Sequence, residues 1–268
     1  MRPSIQFLSR YSLRIATISG IPIRLHYTML LFPILLFPTL TTTNDVSLYL
    51  FILLAIPVSV LLHELGHCFS ARRYGIPTRD IYLTPIGGVA MIEGMPARPL
   101  QEAVIAIAGP LVSLALALIF GLLGWLFHGL PVDNLPLLWL GCLMNAMLLI
   151  FNLIPAFPMD GGRVLRALLA PRIGFLKATR IASGIGQGLC ILFIFYGATR
   201  TRPSPFSAFD TWDPNPILIF IGIMIFLAAR REYEMVKRVV EQMQKEASEL
   251  HQPLPVNEES GINSSHRK

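Results

Sequence analysis

Residues 63–67 read His-Glu-Leu-Gly-His. On a helix, residues four apart lie about 40° from each other around the axis, so both imidazoles face one way and can share one zinc ion at roughly 2.0–2.1 Å. Glu64 points into the neighbouring sector, from which its carboxylate can take a proton from a water activated by the metal. Two core histidines, merely hydrogen-bonded, would spell the same pattern. The surroundings argue for the metal, because the three side chains interrupt an apolar run and an ionisable group within a membrane span costs about 2.5–3.5 kcal/mol.

A catalytic zinc usually takes a third protein ligand and keeps one open position. Asp160, in FNLIPAFPMDGGR, is the carboxylate that ends an apolar segment, and it is the expected third ligand. Glu93, Asp80, Glu102 and His26 are its rivals, and helix capping or a turn before Gly161-Gly162 is the structural alternative. Pro155 and Pro158 break the helix ahead of Asp160, which would let it reach sideways. Asn152 offers an amide that could steady an oxyanion or, equally, bond to another helix; Asn145 is read as structural.

These residues sit in a chain of 268 residues that is 53% hydrophobic and 14% charged, a balance that needs a solvent other than water. Apolar runs predict about six transmembrane helices near 26–42, 48–71, 103–127, 137–157, 181–198 and 215–229. The first holds two prolines and the last is short, so a five-span version stays open. The fold class expected is an all-α polytopic membrane protein with a small membrane-associated β-hairpin near 81–95, where IYLTPIGGVAMIEGM surrounds Gly87-Gly88. Residues 1–239 form the membrane domain, with a catalytic core at about 48–163, and 240–268 read as a polar, disordered tail. No cleavable signal peptide is expected, so the first span would stay as an anchor. Cys68, Cys142 and Cys190 read as packing thiols, not as a disulfide framework.

With six spans, 20 of the 22 basic residues fall on one side, and only Arg200 and Arg202 on the other. Positive residues are retained in the cytoplasm, so both termini are expected there. The net charge of +6 is then a topology signal, and no nucleic-acid partner is expected. The same topology ends spans two and four on one face, so His63, His67 and Asp160 can converge.

HELGH at 63–67 and NLIPAFPMDGGR at 152–163 resemble the paired zinc motifs of the site-2 protease family of intramembrane metalloproteases, peptidase family M50. GIPIRLHYTMLLF at 20–32, PIGGVAMIEG at 85–94 and AIAGPLVSL at 106–114 are also similar to family segments. The resemblance covers roughly residues 20–235 and is nearest to the compact sporulation-type form without PDZ or CBS domains. Many relatives carry asparagine where this chain has Ser113. The resemblance implies a three-helix core holding one zinc ion per chain, with Glu64 and Asn152 as catalytic groups. It also implies a strand at Gly87-Gly88 that pairs with an unwound substrate.

The expected function is therefore an intramembrane zinc endopeptidase, acting on transmembrane protein substrates in a prokaryotic cell membrane, with the lipid bilayer as its other partner and its oligomeric state unassigned. The alternative is a membrane metal-binding or transport protein using the same ligands, which would have no need of Glu64.

Overall fold

The computed structural model describes residues 10–43, 45–85, 87–94, 96, 98–128, 135–199, 201–202, 211–212 and 215–250. Strands β1 (Ser12–Ile18) and β2 (Ile21–His26) form an antiparallel pair. Their two-residue turn, Ser19-Gly20, has φ of 49° and 82°, the left-handed pair that matches strand twist in a tight hairpin. A 3-10 turn at Tyr27–Leu30 leads into helix α1 (Leu31–Thr43) and then α2 (Val46–Arg73). Asp45 caps α2 by accepting from the Leu48 amide.

Strands β3 (Thr78–Thr84) and β4 (Gly87–Ile92) form the expected hairpin. It belongs to a wider sheet than the sequence suggested, since β2 runs parallel to β3 and the order is β1-β2-β3-β4. Ile21, Ile23, Ile81 and Leu83 of this sheet pack with Leu65 and Cys68 on the second half of α2. Cys68 is thereby a core thiol, turned to the sheet, as expected from its position one residue past His67.

Helices α3 (Pro99–Leu126), α4 (Leu135–Leu153), α5 (Asp160–Ile173) and α6 (Phe175–Thr199) follow. A pair of two-residue strands, β5 (Thr201–Arg202) and β6 (Thr211–Trp212), then precedes α7 (Pro216–Leu250). Among the described residues, four helices are long and apolar enough to cross a membrane: α2, α3, α4 from Pro136, and α6. The six expected spans are thus not all reproduced. The first shrinks to a short apolar helix at Tyr27–Pro38, while α7 turns charged from Arg230 onward. The fourth stops at Leu153, ahead of Pro155, instead of reaching 157. The segment read as a tail begins as helix, because α7 continues through residues 240–250; 251–268, like Arg200, lie outside the described residues.

Large apolar side chains such as Leu118, Trp125, Leu192 and Phe195 point outward from the helices, a surface stable only against lipid. The interhelical seams use small residues instead. A Cβ on Gly66 of α2 would come within 2.8 Å of the Ala108 carbonyl on α3, so glycine sets how closely these two helices approach.

Candidate metal centre and cleft

At 1.5 Å per residue, α2 runs about 42 Å, longer than the roughly 30 Å hydrocarbon core. His63 and His67 lie on its last turns, ahead of Arg72 and Arg73. Asp160 is the first residue of α5, and a carboxylate there is favoured by the positive end of the helix dipole. The loop before it is clamped to α6: the Phe157 amide donates to the Ala182 carbonyl at 3.1 Å. Gly186 leaves room for the Phe157 carbonyl, which a Cβ there would meet at 2.0 Å. The Phe157–Pro158 peptide is cis.

These elements bring three buried side chains together. His63 Nε2 and His67 Nε2 each lie 3.1 Å from Asp160 Oδ2 and 3.2 Å from each other. The far side of each ring is held by α3. His67 Nδ1 faces the Ile105 carbonyl at 2.7 Å, and His63 Nδ1 faces the Ser113 hydroxyl at 2.9 Å. A carbonyl only accepts, so His67 carries its hydrogen on Nδ1, and in the neutral ring its Nε2 aims a lone pair at the centre. Lone pairs of two imidazoles and a carboxylate pointed at one spot repel unless a cation occupies it. Ligand atoms of a tetrahedral zinc at about 2.0–2.1 Å stand roughly 3.3 Å apart, close to the spacing found. The donor set therefore fits zinc.

Glu64 is half-buried and turned to the opposite wall, where a Cβ on Gly88 would meet its Cγ at 2.5 Å. Glu64, Gly87, Gly88, Asn152, Asp160 and both histidines line one cavity of about 750 Å³. The structure thus gathers every sequence-expected site residue around one space. Asn152 Nδ2 donates to the Leu148 carbonyl at 2.9 Å, within its own helix, and among the described residues it makes no hydrogen bond to another helix. Asn145 donates to the Gly141 carbonyl at 2.9 Å, also within α4.

The rival ligands are engaged elsewhere. Asp80 accepts from Arg24 at 2.6 Å, Glu102 pairs with Arg166, and His26 Nδ1 meets the Thr28 hydroxyl at 2.8 Å. Glu93 is exposed. Several participants are residues the sequence did not single out individually. Gly109 abuts both imidazoles, since a Cβ there would lie 2.2 Å from His67 Nε2 and 2.8 Å from His63 Nε2. Phe220, Ile221, Met224 and Ile225 of α7 form an apolar wall of the cavity, and Arg163 also lines it. Arg166 joins Glu102 on α3 and Glu232 on α7, the latter at 3.4 Å, and its guanidinium stacks between Phe157 and Phe175 at 4.8 and 4.6 Å.

Comparison with known proteins gives the same direction. The model of peptidase family M50 matches residues 51–136 and 132–193. A zinc metalloprotease of Methanocaldococcus jannaschii is 40% identical over 249 residues, covering 92% of this chain and 68% of that protein. Stage IV sporulation protein FB of Bacillus subtilis is 29% identical over 206 residues, covering 76% of this chain and 68% of that one. Rip3 of Mycobacterium tuberculosis is 36% identical over 177 residues, and the chain spans 44% of its length. The solved site-2 protease from Methanocaldococcus jannaschii superimposes with a TM-score of 0.62 at 39% identity, over 83% of this chain and 95% of that one.

Proposed function

This chain belongs to peptidase family M50 and is a zinc metalloprotease of the site-2 type, and from that premise we propose that it cuts transmembrane protein substrates through His63, His67, Asp160 and Glu64. The observation that carries the residue assignment is the convergence of three ligand atoms, 3.1–3.2 Å apart, at a cavity that Glu64 also lines.

His63, His67 and Asp160 would hold one zinc ion per chain. When bound, zinc supplies a Lewis acid that polarises the scissile carbonyl and acidifies the attacking water. Glu64 takes the proton of that water and returns it to the leaving amide nitrogen. Asn152 spends one amide hydrogen on Leu148 and can direct the other into the cavity, toward the developing oxyanion. Strand β4 is an edge of its sheet. A substrate segment that gives up its helix can pair there, with Gly87 and Gly88 leaving no side chain between it and Glu64.

The six-span arrangement with both termini cytoplasmic, in a prokaryotic plasma membrane, belongs to this reading and rests on the distribution of basic residues. So does the division into a protease domain at 1–239, with its core at 48–163, and a polar tail whose first turns extend α7. The metal-transport alternative is not favoured, because the relatives are proteases.

Glu64→Gln should retain zinc, measured by elemental analysis of protein purified in detergent, and lose cleavage of a reporter transmembrane substrate. Continued cleavage by that variant would overturn the mechanism. Asp160→Asn should lower the zinc content, and unchanged zinc would remove it from the ligand set.

A further inference from the structure

The cavity holds one charged side chain that the reaction above does not use. Arg163 lies three residues beyond Asp160 on α5 and lines the same space as Glu64 and the ligand cluster. It is half-buried, and among the described residues it forms no hydrogen bond or ion pair within 4.0 Å. Its neighbour Arg166 is engaged with Glu102 and Glu232, so these two of the helix's three arginines have different assignments. The charges in the cleft make the difference consequential. The Asp160 and Glu64 carboxylates together balance a zinc dication, which leaves the Arg163 guanidinium as surplus positive charge between apolar walls such as Ile92 and Met224. A guanidinium in that setting selects a planar anion able to accept two hydrogen bonds.

We propose that Arg163 is a specificity-determining residue that binds a carboxylate of the substrate, carried by an acidic side chain or by a free C-terminus close to the scissile bond. The inference rests on the endopeptidase reading. Residues three apart on a helix have Cβ atoms about 5–6 Å apart, and an extended arginine brings the separation between ligand cluster and guanidinium to on the order of 10 Å. An extended substrate advances about 3.3 Å per residue, so the carboxylate should stand about three residues from the bond that is cut.

The test uses the full chain in detergent micelles and a transmembrane reporter peptide bearing Glu, Gln or Lys, swept over five positions on each side of the cleavage point. A second pair of peptides ends at the preferred position with a free or an amidated C-terminus, which separates the two sources of carboxylate. Binding is read in the Glu64→Gln background and kcat/KM in the active protein. The Glu or free-terminus peptide should be preferred by about tenfold over its neutral counterpart. Arg163→Lys should keep part of that preference, Arg163→Gln should erase it, and Arg163→Glu should transfer it to the Lys peptide. Zinc content is measured for each variant, so loss of the metal centre is distinguished from loss of selectivity. An equal preference in Arg163→Gln and the unaltered chain, or no preference in either, overturns the proposal. Turnover by the Glu64→Gln protein would instead overturn the catalytic reading beneath it.

Discussion

Gly109→Ala adds a single methyl group on α3, yet it should empty the metal centre. The new Cβ would lie 2.2 Å from His67 Nε2, 2.6 Å from His67 Cε1 and 2.8 Å from His63 Nε2. Ordinary contact requires about 3.4 Å or more, so one ring must retreat by about 1.2 Å and the other by about 0.6 Å. Zinc–ligand distances are held to within about 0.2 Å, so either displacement exceeds what the metal tolerates. The rings cannot turn away freely, because their Nδ1 atoms are fastened at Ile105 and Ser113 of the same helix. Loss of an outer hydrogen bond to a ligand already costs 10–100-fold in affinity, so displacing the ligands should cost at least about 100-fold. Alanine favours a helix interior over glycine by about 1 kcal/mol, so α3 itself is not weakened. Zinc affinity is measured by competition with a chelator in detergent, and helix content by circular dichroism. A Gly109→Ala protein with native helix content and unchanged zinc affinity would refute the claim that this glycine exists to clear the imidazoles.

Gly88→Ala should act on Glu64 instead: its Cβ would meet the Glu64 Cγ at 2.5 Å, forcing a shift of about 1 Å that can lower kcat about 100-fold while zinc stays bound. Gly87→Ala meets no atom within 4 Å but sits at φ 145°, so it should weaken the hairpin by about 1–3 kcal/mol in thermal unfolding and spare the Glu64 contact. Arg166→Leu would strand the buried Glu102 carboxylate and should destabilise the protein by about 3 kcal/mol in a denaturant titration, with part of the loss recovered by adding Glu102→Gln. Full stability of the single variant would show that the Glu102 charge is relieved by other means.

The candidate metal residues were legible because ionisable side chains stand out in apolar runs, His63 and His67 within one and Asp160 as the carboxylate that ends another. The packing around them was not. Strand β1 alternates polar Ser12 and Arg14 with apolar Leu13 and Ile15, but only over a few residues and with none of its central residues buried, too short a signal to stand out ahead of the apolar run. Its partner β2 also alternates at Ile21 and Ile23, but it leads without a break into an apolar run that reads as a span. Glu102 looked like a possible ligand because its counter-ion, Arg166, is 64 residues away, beyond any local pattern. Gly109 gave no sign of its role, since a glycine among apolar residues reads as a packing contact until its neighbours are known. The cleft wall on α7 was equally hidden, for the side of an apolar helix that faces a cavity looks like the side that faces lipid.

His63 and Asp160 touch although 97 positions separate them in the chain. At a synthesis rate of about 5–20 residues per second, on the order of 5–20 s separates the emergence of the first from that of the second. Throughout that interval the nascent polypeptide possesses its general base and two imidazoles but no complete cage for the ion. The proposed cage for the ion can therefore close only after Asp160 has been made, 97 residues behind His63.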